Sequence, residues 1–155
     1  MHLQEKSNNT DLTSKNYKKR ILVVEDEKFW VELLKLELYA VQSNIEIIHA
    51  QNGEEAVQYI KMSQDLIKDG STSTKSREKY DAIITDIQMP VMDGCTAVKI
   101  IRDLLYTGPI IVWSAYRDSA EDLKKALDIP VSGFCVKEGS LQNLLRHLKN
   151  LKVIE

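Results

Sequence analysis

Acidic, basic and hydroxyl side chains follow short apolar runs at several separate points of the chain. Glu25 and Asp26 come after the run RILVV, and Asp86 comes after AIIT. Ser114 and Lys137 follow two later runs, IIVW and GFCV. If the runs are parallel strands, their carboxyl ends share one edge of a sheet, and the five side chains converge there. Three carboxylates at one edge repel one another unless a hard cation intervenes, and Mg²⁺ prefers such oxygens.

Together these groups describe the transfer of a phosphoryl group to a carboxylate. Asp86 is the candidate nucleophile, and a magnesium ion among the carboxylates would neutralise the phosphoryl oxygens. The Lys137 ammonium suits one phosphate oxygen, and the Ser114 hydroxyl can donate a hydrogen bond to another. Singly, each residue is commonplace, since an acidic pair after a strand usually belongs to a solvated loop or a helix N-terminus. The ordered set, with members at successive strand ends, indicates a functional site.

Segments with strand and helix patterns alternate from residue 20 onward. Strands are predicted at 20–25, 45–49, 82–85, 109–113 and 132–136, where short apolar runs occur. Helices are predicted at 28–42, from Asn52 and Gly53 onward with Asn52 as the cap, at 96–105, at 118–127, and after a capping Ser140. Five strands that are each followed by a helix predict an α/β fold. We expect a flavodoxin-like, doubly wound, five-stranded parallel sheet of order 2-1-3-4-5, with helices on both faces.

The first predicted helix has more apolar residues than one narrow stripe requires. Its predicted core stripe consists of Trp30, Leu33, Leu34, Leu38 and Val41. Phe29, Leu36 and Ala40 form a second line beside that stripe. This second line is either a docking surface for a partner helix near the acidic site or part of a wide core face under the last helix. Both interpretations stay open at the level of the sequence.

Length and composition are those of one globular domain. The chain has 155 residues, of which 43% are hydrophobic and 28% charged. We expect a disordered polar tail at 1–18, one domain at 19–155, and a polar surface loop at about 69–79. A net charge of −2 argues against a nucleic-acid partner, and no apolar run is long enough to span a membrane. We therefore predict a cytoplasmic protein in which Cys135 is a reduced, buried thiol.

Several motifs resemble the receiver domain of two-component response regulators. They are ILVVEDE (21–27), AQNGEEAV (50–57), YDAIITDIQMPVMDG (80–94), IIVWSA (110–115) and GFCVKEGS (133–140). The resemblance runs from about Lys19 to the C-terminus, apart from the Ser/Thr-rich loop. The segment TDIQMPVMDG is highly specific and is similar above all to receivers attached to hybrid histidine kinases.

The resemblance implies roles for the acidic residues. Asp86 is the implied phosphoacceptor. Asp26 is expected to bind Mg²⁺ directly and Glu25 through water, while the backbone carbonyl of Gln88 supplies a further ligand. The ion is the only cofactor that the resemblance implies.

The resemblance also implies a switch. Lys137 is expected to neutralise the phosphoryl group, Ser114 to be the switch hydroxyl, and Phe134 to be the switch aromatic. The proline that commonly follows the family's lysine is here Glu138. A cis bond before a residue other than proline costs about 2.5–4 kcal/mol, so we predict a trans 137–138 bond.

The expected function is therefore that of a stand-alone receiver. Its phosphoryl donor would be a phosphohistidine on a sensor histidine kinase or a histidine phosphotransfer protein, and its output a downstream protein target or an onward relay. We expect a monomer or a weak phosphorylation-dependent dimer. We expect no enzymatic activity beyond self-dephosphorylation, and this should be slow because neither Gln88 nor Tyr116 is an acid that could orient the attacking water. A phosphatase would need an acid where Gln88 stands. The alternative is a pseudo-receiver that binds partners without being phosphorylated.

Overall fold

The fold is built on a five-stranded parallel sheet. The computed structural model describes residues 18–68, 79–115, 128–138 and 141–155. The strands of the sheet are β1 (Lys19–Val24), β2 (Ile45–Ala50), β3 (Ala82–Thr85), β4 (Ile110–Ser114) and β5 (Gly133–Val136). The spatial order is β2-β1-β3-β4-β5 and every pairing is parallel, which confirms the predicted topology. The order changes direction beside β1 and β3, so the carboxyl ends of these two strands flank the crevice where such folds bind ligands.

Four helices are described: α1 (Lys28–Val41), α2 (Gly53–Lys68), α3 (Gly94–Asp103) and a C-terminal helix (Gln142–Asn150). Asn52 caps α2 as predicted, because its Oδ1 accepts the backbone N–H of Glu55 at 2.9 Å. Asp93 caps α3 in the same way, with Oδ1 2.7 Å from the backbone N of Thr96. The cap fixes the start of α3 at Gly94, two positions before the predicted start.

The apolar side chains of β1 alternate between the two faces of the sheet. Ile21 and Val23 belong to the cluster packed under α1 and the C-terminal helix. Leu22 and Val24 belong to the cluster packed under α2 and α3. Because both faces are covered, the central strands are apolar throughout, as parallel sheets require.

The packing of α1 differs in part from the predicted stripe. Leu34 and Leu38 are buried as predicted, but the third buried residue is Val31, and Val41 is exposed. The helix is apolar on more than one side, so its periodicity does not define its inward face. Contact with the sheet decides that face.

Several predictions concern residues outside the described ranges. They are the polar tail apart from Lys18, the loop at 69–78, the helix at 118–127, the Ser140 cap and any role of Tyr116. Among the described residues no helix is long and apolar enough to cross a membrane. Cys95 and Cys135 are both buried and form no disulfide, and burial raises the pKa of the Cys135 thiol to about 11.

Candidate functional site

Asp86 lies immediately after β3, at the carboxyl edge of the sheet. The backbone N–H of Asp86 donates to the carbonyl of Val24 at 2.9 Å, which ties the residue to β1. The backbone N–H of Ile87 donates to Oδ1 of Asp86 at 2.8 Å and orients the carboxylate. The side chain is almost fully buried. Asp86 is therefore held rigidly at the crevice beside β1.

The loop after Asp86 folds back onto it, and glycine at position 94 permits this. The Gly94 N–H donates to the carbonyl of Ile87 at 2.7 Å. A Cβ atom at position 94 would lie 1.8 Å from the backbone oxygen of Asp86, a distance that no side chain tolerates. Glycine at position 94 thus allows the loop to pack closely against the backbone of Asp86.

Lys137 reaches the same point from the end of β5. Its Nζ lies 3.0 Å from Oδ2 of Asp86 and also forms an ion pair with Oε2 of Glu25. All three side chains are buried, which is unusual for charged groups unless they are paired. No cis peptide bond occurs among the described residues, which confirms the predicted trans bond between Lys137 and Glu138.

The buried carboxylates bind protons more tightly than usual. Burial, followed by the charge of Asp86, raises the pKa of Glu25 to about 7, although Lys137 opposes the shift. Burial likewise raises the pKa of Asp86, and Lys137 opposes that shift as well. One lysine therefore does not compensate two desolvated carboxylates, and the site carries an excess of negative charge.

The arrangement of acids fits a divalent cation. Oxygen atoms of Glu25, Asp26 and Asp86 all lie within 4.8 Å of one another. Glu25 and Asp86 are buried, whereas Asp26 is exposed and leaves the site open on one side. Hard oxygen ligands, uncompensated charge and an open side are what Mg²⁺ requires, because the ion keeps part of its water shell.

Of the three remaining predicted residues, Gln88 lies in the loop after Asp86 and is exposed, while Ser114 and Phe134 lie on neighbouring strands. Ser114 ends β4 and is buried, and its carbonyl accepts the backbone N–H of Lys137 at 2.6 Å. Phe134, on β5, is half-buried and packs against the cluster under α2 and α3. Ser114 thus belongs to the carboxyl edge with the acids, while Phe134 lies two residues back along its strand from the last strand position.

Two tryptophans that the sequence did not mark as site residues lie beside the site. Trp30 of α1 and Trp113 of β4 each face the Lys137 ammonium, with ring centroids 5.4 and 5.5 Å from Nζ. Their positions in the sequence, next to predicted site residues, could have indicated that they lie near the site. Trp113 directly precedes Ser114, and Trp30 follows the acidic pair by one turn of helix.

The chain is similar to known proteins of one family. The family model for the response regulator receiver domain matches residues 21–149. The osmosensing histidine protein kinase SLN1 of Saccharomyces cerevisiae is 36% identical over 121 residues, which cover 76% of this chain and 9% of the kinase. Response regulator MprA of Mycolicibacterium vanbaalenii is 32% identical over 135 residues, covering 85% of this chain and 49% of that protein.

A solved structure is similar over most of its length. The signal receiver domain of a signal transduction histidine kinase from Syntrophus aciditrophicus has a TM-score of 0.68 and 27% identity, covering 86% of this chain and 89% of that one. By contrast, the chain spans less than half the length of SLN1 and of MprA. The chain belongs to the response regulator receiver domain family, whose members accept a phosphoryl group in two-component signalling.

Proposed function

We propose that this receiver accepts a phosphoryl group on Asp86 from a phosphohistidine of a sensor histidine kinase or a histidine phosphotransfer protein. The observation that supports the proposal most strongly is the buried contact between Lys137 Nζ and Asp86 Oδ2 at 3.0 Å, inside a group of three carboxylates. A purely structural ion pair would need no third acid. A phosphoryl acceptor needs both the cation site and the lysine.

The chain's residues would act as follows. An oxygen of Asp86 attacks phosphorus, the bond from phosphorus to the histidine nitrogen breaks, and the imidazole leaves. Glu25, Asp26, Asp86 and the backbone carbonyl of Gln88 would hold Mg²⁺, which neutralises charge on the transferring group when bound. Lys137 gives up part of its pairing with the carboxylates and contacts a phosphoryl oxygen.

The switch would follow from Ser114 and Phe134. A phosphoryl oxygen near Asp86 would offer the Ser114 hydroxyl a charged acceptor, so the end of β4 moves toward it. Phe134 is half-buried and can turn further inward as that strand end moves. The outcome is a shift in population between two surfaces, read by a downstream protein or used to pass the phosphoryl group onward.

The docking surface for the histidine-bearing partner is proposed on α1. Phe29 and Leu36 are 65% and 68% exposed, and Ala40 continues the same exposed line. The interpretation of these residues as core is therefore wrong. The line begins three residues after Asp26, beside the opening through which a phosphohistidine must approach. A helical partner could lay its own apolar face there.

The proposal is tested by the intact mass of the protein after incubation with Mg²⁺ and a small phosphodonor. We expect one added phosphoryl group, and none when the ion is chelated. A chain that gains no mass under these conditions would be the phosphorylation-independent pseudo-receiver. The stand-alone architecture, the cytoplasmic location and slow self-dephosphorylation stay predictions.

A further inference from the structure

We propose that Trp30 and Trp113 are positioning residues that hold the Lys137 ammonium against Asp86. The inference deepens the proposed function and rests on it, because it concerns how the lysine is made ready for the phosphoryl group. It assigns the two indoles a role beyond filling the core.

The geometry places the ammonium between charges and aromatic rings. Nζ of Lys137 lies over both indoles at 5.4 and 5.5 Å from their centroids, within the range of cation–π attraction. The two rings meet edge to face, with centroids 5.6 Å apart and planes at 78°. Glu25 and Asp86 supply the opposing negative charges.

The position of the Lys137 ammonium is not fixed by the backbone alone. The lysine side chain is long and flexible, so the backbone hydrogen bond to Ser114 fixes where the side chain starts but not where the ammonium ends. Two carboxylates compete for that ammonium. The two indoles also lie against the ammonium, and Lys137 is 1% exposed, so the charge stays within reach of both acids and away from water.

The environment of Trp113 favours a role for the ring face. The side chain is 1% exposed, and its indole N–H finds no acceptor among the described residues. A buried donor without a partner costs free energy that a phenyl ring of similar shape would not incur. No hydrogen bond to the described residues explains the indole at this position. What it offers beyond a phenyl ring is the strongest π face available to a cation.

The functional test replaces Trp30, which is only half-buried, with phenylalanine and with leucine. At equal Mg²⁺ and small phosphodonor, we expect the labelling rate to fall modestly in Trp30→Phe and about three- to tenfold in Trp30→Leu, as expected for loss of a cation–π contact. Equal rates in the two variants would overturn the inference, since they would show that only packing matters.

Biosynthetic replacement of both indoles by fluorinated tryptophans provides a second version of this test that preserves packing. Fluorine weakens the π face while hardly changing ring size. We expect the labelling rate to fall stepwise with the number of fluorine atoms. A rate that is independent of fluorination would overturn the inference.

A third measurement does not depend on phosphorylation. In metal-free protein with ¹³C-labelled lysine, ring currents should displace the Lys137 Cε proton signal upfield of the exposed lysines, and Trp30→Leu should reduce that displacement. The signal is assigned by its loss in Lys137→Gln. An undisplaced signal would refute the inference, whereas a wild-type protein that takes no phosphoryl group would refute the proposed function.

Discussion

The ammonium nitrogen of Lys137 lies 3.0 Å from Oδ2 of Asp86, although 51 positions separate the two residues in the chain. Both side chains are buried, and Glu25 shares the same lysine. The lysine is therefore needed to keep two carboxylates in the interior. Without the lysine, the negative charges of the two carboxylates would repel each other.

Removal of the lysine and removal of the acceptor should accordingly have different effects on stability. Without metal, Lys137→Met should lower the free energy of unfolding by about 3–5 kcal/mol, because it leaves two buried acids unpaired. Asp86→Asn should leave stability unchanged or raise it, since Glu25 keeps the lysine and loses a repelling neighbour. Urea unfolding of both variants measures this. Equal destabilisation by the two substitutions would contradict the charge balance described for the site.

Mg²⁺ should stabilise the protein more in mild alkali than in mild acid. The pKa of Glu25 is raised from 4.5 to about 7, so between these values the folded protein binds more protons than the unfolded chain. Stability without metal should therefore fall as pH rises through this window. Near pH 8 the ion no longer has to displace a proton, so the gain in Tm on adding Mg²⁺ should be larger at about pH 8 than at about pH 6.

Thermal unfolding with and without Mg²⁺ at the two pH values measures the effect. In the control, Glu25→Gln should flatten the pH dependence of the metal-free protein. A gain in Tm that is the same at both pH values in wild type would show that Glu25 does not titrate in this window.

Phe29 should contribute to transfer from a protein donor but not to folding. Because its side chain is 65% exposed, Phe29→Ala should leave Tm nearly unchanged. It should also spare labelling by a small phosphodonor, which needs no docking surface. Transfer from a histidine-bearing partner should slow about tenfold, the loss typical of a moderate interface residue.

Met62→Ala provides the matched control, since Met62 is 58% exposed on a different helix, α2. It should transfer at the wild-type rate. If Phe29→Ala and Met62→Ala transfer equally fast, the partner does not dock on this line of α1.

Leu105→Gly should stabilise the protein. Leu105 follows α3 with φ of 68° and is 81% exposed, so it adopts the left-handed conformation without gaining much burial. Glycine adopts that conformation without steric cost at the end of a helix. We expect the free energy of unfolding to rise by about 0.5–1 kcal/mol, measured by urea unfolding. A lower value would mean that the leucine side chain contributes more contact than its exposure suggests.

The sequence predicted the sheet and the main charged residues because both depend on short-range patterns. Apolar runs that end in Asp86 or Lys137 define strands and place those residues at one edge. The choice between Val31 and Val41 on α1 could not be predicted, because the helix offers apolar residues on several sides and only contact with the sheet selects among them.

The environment of Lys137 was also beyond the sequence. That its ammonium pairs with Glu25 as well as Asp86, and lies over two indoles, depends on five side chains from separate parts of the chain meeting at one point. No local pattern encodes such a meeting. Residue spacing predicted which groups would be near one another, and the packed fold determined which of them touch.

Asp86 is expected to receive the phosphoryl group, and intact masses of three proteins after identical treatment with Mg²⁺ and a small phosphodonor test this most directly. Wild type and Asp103→Asn, which removes an exposed aspartate of α3 away from the site, should each gain one phosphoryl group. Asp86→Asn should fold and gain none. Labelling of Asp86→Asn at the wild-type rate would contradict the assignment of Asp86 as the acceptor and show that another residue takes the phosphoryl group.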